Sequence, residues 1–163
     1  MHLSDWNSFF AGELGAAAAL AGLLFVAVSV NQARILELGR MADRGLEGLV
    51  MLFLVLVIAS LPLIPGQPLR WLGGEIFAIA TLTLAALIPL QRAYVRETEP
   101  QYRKSSTQMV RVNQTAMALI SLAGLIILWR GDGAGLYLLA PGILVTFLAA
   151  GANAWVLLVE INR

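Results

Sequence analysis

The sequence predicts an all-α integral membrane protein, a bundle of about five transmembrane helices that forms one polytopic domain over residues 1–163. Hydrophobic residues make up 59% of the chain and charged residues only 13%, and the mean hydropathy is +0.79. A soluble domain carries roughly 25% charged residues, so this chain has too few polar side chains to cover a core in water. Its apolar residues are grouped into five stretches near the length of about 17–25 residues that a transmembrane helix needs.

The five predicted spans differ in how clearly they meet that length. They are residues 9–31, 47–65, 72–91, 112–129 and 136–159. The first span follows a segment without Lys or Arg, so it lacks the basic region that begins a signal peptide. The third is the shortest apolar stretch, and whether it crosses the bilayer completely is left open. The fifth is long enough to tilt or to begin in the interface.

Lys and Arg are divided unevenly between the two sides of this five-span arrangement. Of the 11 basic residues, nine lie after spans one, three and five, and only Arg70 and Arg130 lie on the other side. Cytoplasmic segments of membrane proteins carry the excess of Lys and Arg. We therefore predict an outside N-terminus and a cytoplasmic C-terminus in a plasma membrane, with a bacterial inner membrane as the expected location.

The two connections predicted on the cytoplasmic side are charged. Residues 33–47 are predicted to form a mixed-charge helix on the membrane surface, with Arg44 and Glu47 as one of its i,i+3 pairs. Residues 94–111 form a second connection that Pro100 interrupts. Five basic residues in and beside it are candidates for binding anionic lipid headgroups, at about 1 kcal/mol each: Arg92, Arg96, Arg103, Lys104 and Arg111. The alternative is a cluster that directs topology and binds nothing specific.

Five polar residues in or beside the spans are candidates for an ion path or for polar contacts between helices, because such residues are costly in lipid. Glu13 and Glu75 lie at the predicted outer ends of spans one and three, where carboxylates can form a cation-attracting mouth. The alternative is that both reach into the headgroup layer. Asn31 follows Glu13 by five helical turns on the same face. Asn153 and Glu160 share one face of span five.

Small residues predict where helices approach closely. A stripe in span one comprises Ala11, Gly15, Ala18 and Gly22. We refer to these four residues as the small-residue stripe, and we predict that it contacts another helix. Two further seams, in spans four and five, are predicted to pack against each other. The span-four seam comprises Gln114, Met117, Ser121, Gly124 and Leu128, and the span-five seam comprises Gly142, Thr146, Ala149, Asn153, Val156 and Glu160.

The sequence lacks the usual signatures of an enzyme. It contains no cysteine and one histidine, His2, and it has no zinc-protease, nucleophile-elbow or Walker motif. We expect no cofactor and no metal, and the net charge of +1 gives no reason to expect nucleic acid binding. Two functions are carried forward. One is a homo-oligomeric ion channel or small-solute pore. The alternative is a non-catalytic membrane subunit or scaffold that associates with a partner membrane protein.

Overall fold

The computed structural model describes residues 3–32, 35 and 41–155, and all the regular structure in these residues is helical. Five helices are long and apolar enough to cross a membrane. They are α1 (Asn7–Val30), α2 (Met41–Ser60), α3 (Leu69–Glu97), α4 (Pro100–Arg130) and α5 (Leu136–Trp155). Short 3-10 turns occupy Leu3–Trp6, Leu61–Leu63 and Gly133–Gly135. The predicted all-helical fold with five spans is confirmed.

Helices α3 and α4 are longer than their predicted spans. They contain 29 and 31 residues, or about 45 Å at 1.5 Å per residue, whereas the hydrocarbon core of a bilayer is about 30 Å thick. The third span is therefore long enough to cross. The predicted basic connection is helical except at Thr98 and Glu99, and Pro100 begins α4. Proline is favoured there because the first residues of a helix have no partner for their N–H groups.

The helices pack as two pairs joined by a fifth helix. α1 packs along α2, α3 packs along α4, and α5 contacts α2 and α4. α2 also contacts α3, so α2 and α5 are the most buried of the five spans. We call the end of the bundle that carries the beginning of α2 and the α3–α4 hairpin the basic end.

A continuous apolar core fills the space between the helices. Its fully buried side chains include Phe10, Met51, Ile58, Ile76, Met117, Ile120, Leu139 and Ile143. All five helices contribute to it. Burial of this kind gives dense packing, with few voids larger than a water molecule.

Two glycines bring the backbones of α3 and α4 into contact. A Cβ atom added to Gly73 would lie 2.3 Å from the backbone nitrogen of Leu128 and 2.8 Å from the carbonyl oxygen of Gly124. The span-four seam, which contains Gly124, therefore packs on α3, and the prediction that it packs on α5 is wrong. On the other side of α4, Gly142 of α5 packs against Ile120.

Candidate functional site

A carboxylate is buried where α2, α3 and α4 meet. Glu47 of α2 is only 1% exposed. Its Oε1 accepts hydrogen bonds from Gln91 Nε2 at 2.6 Å and from Asn113 Nδ2 at 2.7 Å. Gln91 Oε1 in turn accepts a hydrogen bond from Gln114 Nε2 at 2.9 Å, which fixes the orientation of the Gln91 amide. Hydrogen bonds of this one carboxylate therefore connect three helices.

The position of Glu47 corrects the sequence-based prediction. Residues 41–47 are the first turns of α2 and not part of a helix on the membrane surface. Within the described residues no Lys or Arg forms an ion pair with Glu47, so the predicted pair with Arg44 is wrong. Arg44 Nη2 instead donates to Asn153 Oδ1 at 3.4 Å, which brings α5 into the same group of polar side chains.

These side chains form a layer near the basic end of the bundle. Asn113 precedes the end of α4 at Arg130 by about 25 Å of helix, so the layer lies far from the end of the bundle that carries Arg130. Tyr94 of α3 is buried beside it, within electrostatic range of both Glu47 and Arg44. We call Arg44, Glu47, Gln91, Tyr94, Asn113, Gln114 and Asn153 the polar cluster.

Two atoms of the polar cluster have hydrogen-bonding capacity left over. Asn113 Oδ1 and Asn153 Nδ2 are both buried, and neither has a hydrogen-bond partner in the part of the chain that the structure describes. Nearly all buried polar groups in proteins are paired with protein or with ordered water. One unpaired acceptor and one unpaired donor match the capacity of bound water. The chemistry that the cluster itself offers is a carboxylate fixed by neutral amide donors.

The two acidic residues predicted at the opposite end lie on different helix pairs. Glu13 is half-buried on α1, and its Oε2 has no hydrogen-bond partner. Glu75 is half-buried on α3 and accepts a hydrogen bond from Gln67 Nε2. α1 packs on α2 and α3 packs on α4, and no hydrogen bond among the described residues joins the two carboxylates, so the cation-attracting mouth stays a prediction.

The other candidate residues are distributed along the bundle. Asn31 Nδ2 donates to the carbonyl oxygen of Ala27 in its own helix. Asn153 belongs to the polar cluster, and Glu160 lies outside the described residues. The five basic candidates are exposed on the α3–α4 hairpin: Arg92, Arg96, Arg103, Lys104 and Arg111.

The small-residue stripe faces away from the rest of the chain. Its members Ala11, Gly15, Ala18 and Gly22 are all exposed. A Cβ atom added to Gly15 or Gly22 would meet no atom within 4 Å. α1 packs on the bundle through other residues, Phe10, Ala17, Ala21, Leu24 and Ala27. No helix in the described part of the chain meets the stripe, so its predicted helix contact is a prediction about a second chain.

Glu47, Gln91 and Asn113 were not singled out together from the sequence. A signal was present, because one amide or carboxylate occurs near the same end of each of α2, α3, α4 and α5. The distance of each polar residue from the end of its own span places these residues in one layer. Their spacing from near neighbours in the sequence does not show this.

The chain matches no protein-family model, no curated protein and no solved structure. The described residues establish an architecture: five helices, each long and apolar enough to cross a membrane, packed around an apolar core with a layer of buried polar side chains near one end.

Proposed function

We propose that this protein is a non-catalytic membrane subunit that acts by associating with other membrane-embedded chains. The observation that carries the proposal is the filled interior of the bundle. Between the polar cluster and the opposite end, Thr146 is the one buried polar residue among those described, and its hydroxyl donates to the carbonyl oxygen of Gly142. An ion in such an interior would lose its hydration without gaining ligands, at a cost of several kcal/mol or more.

The polar cluster supports this interpretation, because its hydrogen bonds run between helices. Glu47 binds side chains of α3 and α4, and Arg44 binds α5. Hydrogen bonds between transmembrane helices contribute about 0.6–2 kcal/mol each. A layer that joins four helices in this way favours a rigid bundle that presents fixed outer faces to its surroundings.

We place the contact with a second copy of the chain on the small-residue stripe of α1. α1 is the least buried of the five spans, and space is open at Gly15 and Gly22. The same stripe on two copies can form a self-complementary contact in which the backbones approach closely. The favourable free energy of association would come from dispersion contacts. The hydrophobic effect would add little, because lipid already surrounds apolar side chains with apolar groups.

Single-cysteine cross-linking tests this contact directly, since the natural chain has no cysteine. Ala18→Cys introduces a thiol in the stripe, and Ala78→Cys introduces one at an exposed alanine of α3. In oxidised membranes we expect a disulfide-linked dimer from Ala18→Cys and little from Ala78→Cys. Equal cross-linking of the two variants, or none from either, would exclude the stripe as the contact.

The second candidate function is a homo-oligomeric ion channel or small-solute pore that conducts between subunits. The observation that favours it is Glu13, whose Oε2 has no hydrogen-bond partner among the described residues. Its test is the reversal potential in asymmetric salt, measured for the wild type and for Glu13→Gln combined with Glu75→Gln. A conducting wild type that loses cation preference in the variant would replace the subunit proposal. A reconstituted dimer that does not conduct would support the subunit proposal.

A further inference from the structure

One face of α4 carries basic residues that continue directly into an exposed apolar surface. A shallow, open depression on the surface of α4, called the groove below, is lined by Pro100, Arg103, Lys104, Thr107, Gln108 and Arg111. These residues recur every three or four positions, so they lie on one face of the helix. Three cationic side chains, one hydroxyl and one amide line the groove, and no acidic residue does. The lining is suited to an anion.

The same face of α4 continues towards the opposite end with residues that are exposed on the outside of the bundle. They are Thr115, Ala118, Leu122 and Leu125. From Arg111 to Leu122 the helix rises about 16 Å, which is close to half of the roughly 30 Å hydrocarbon thickness. Along this face a charged segment is therefore followed by an apolar segment about as long as one leaflet is thick. A phospholipid has the same order, with a charged headgroup followed by apolar acyl chains.

The Arg103 side chain lines this groove and makes one hydrogen bond to the end of α3. Its Nη2 donates to the carbonyl oxygen of Arg96 across the hairpin at 3.1 Å, and its own carbonyl oxygen accepts from Thr107 Oγ1 at 2.8 Å. A guanidinium has five N–H donors in a planar fork that matches a phosphate. One donor makes this hydrogen bond and the others stay available to a ligand. Lys104 and Arg111 add two further charges on the same face.

We propose that this face of α4 binds one anionic phospholipid, with its phosphate against Arg103, Lys104 and Arg111 and its acyl chains along Ala118 and Leu122. The apolar continuation of the face is the reason for choosing a lipid over a soluble phosphate. The proposal narrows the five basic candidates to one site, because Arg92 and Arg96 do not line the groove. It is independent of the contact proposed for α1.

The test compares two variants that remove the same charge from exposed positions at the same end of the bundle. Lys104→Gln with Arg111→Gln removes two groove cations, and Arg92→Gln with Arg96→Gln removes two cations outside it. Binding of phosphatidylglycerol and phosphatidylcholine to the full chain in detergent is measured by native mass spectrometry. Unfolding temperature without added lipid reports whether each variant is folded.

We expect the wild type to prefer phosphatidylglycerol over phosphatidylcholine. One basic residue near a lipid surface changes the affinity by roughly five-fold, so the groove variant should bind phosphatidylglycerol about 20–30-fold more weakly than the wild type. The control variant should retain most of the wild-type affinity. Single Lys104→Gln, with a loss of about five-fold, gives the same answer if the double variant is poorly folded.

Three results would overturn the proposal. Equal losses in the two double variants would mean that the whole hairpin attracts anions through its diffuse charge. Equal binding of phosphatidylcholine and phosphatidylglycerol by the wild type would remove the role of the headgroup charge. Displacement of bound phosphatidylglycerol by inorganic phosphate alone would assign the groove to a soluble anion.

Discussion

The crossing of α3 and α4 at Gly73 and Gly124 can be tested with a single methyl group. In Gly73→Ala the new Cβ atom would lie 2.3 Å from the backbone nitrogen of Leu128, where ordinary contact begins at 3.4 Å. The helices must therefore separate by about 1 Å, because a backbone atom cannot rotate away. Overpacking costs about 1–3 kcal/mol, and alanine regains up to about 1 kcal/mol of helix propensity. We expect a net loss of about 1–2 kcal/mol in the free energy of unfolding.

The neighbouring glycine provides a matched control for this variant. A Cβ atom added to Gly74 would meet only the side chain of Leu128, at 3.8 Å, which is an ordinary contact. Gly74→Ala should therefore be neutral or stabilised by up to about 1 kcal/mol. Reversible unfolding in mixed micelles, followed by circular dichroism, measures both variants. Equal stability of Gly73→Ala and Gly74→Ala would refute the backbone contact.

Four further outcomes are expected. Glu47→Leu leaves two buried amide donors unpaired and should lower the free energy of unfolding by about 2–4 kcal/mol. Glu47→Gln keeps an acceptor oxygen and should lower it less. Equal effects of the two substitutions would contradict the role of the acceptor. Asp132 has a pKa below its ordinary value, through hydrogen bonds from Arg130 and from the N–H of Ala134, so its small contribution to the free energy of unfolding should be lost as the pH falls below about 4. In a pH series of unfolding temperatures, the acid-induced decrease should be smaller for Asp132→Asn than for the wild type, and equal decreases would contradict the role of this carboxylate. A C-terminal fusion to a fluorescent protein should fluoresce and one to a periplasmic phosphatase should be inactive, and the reverse pattern would contradict the predicted topology. Gly15→Leu should reduce the dimer fraction in detergent without unfolding the monomer, and an unchanged fraction would show that the stripe faces lipid.

Hydropathy predicted the number of spans well because the bilayer imposes it directly on the sequence. It failed at the ends of α3 and α4, where the residues are polar and the helix extends beyond the apolar stretch. Between Pro100 and Arg111 the sequence is rich in Gln, Arg and Lys, which are good helix formers. Polar and charged side chains indicate contact with water or headgroups, and they do not indicate where a helix ends.

The polar cluster was predicted in part, and the difference has a physical cause. Asn153 was a candidate from the start, because an amide inside an apolar span needs a partner. Glu47 was assigned to a local pair, since Arg44 precedes it by three residues. Its actual partners Gln91 and Asn113 lie 44 and 66 positions away. Contacts at such separations follow from the packing of whole helices and leave no local spacing pattern.

The place of α5 between the two helix pairs has a consequence for the synthesis of the protein. Of the five helices it is the last to leave the ribosome, and it packs against both α2 and α4. Until it inserts, Arg44 lacks its bond to Asn153, and Ile120 lacks its packing against Gly142. Nascent chains that stall before residue 136 would therefore have the two hairpins joined only by the α2–α3 contacts and the hydrogen bonds of Glu47. The surfaces of α2 and α4 that α5 covers would be unfilled, and incompletely packed chains of this kind are prone to aggregate.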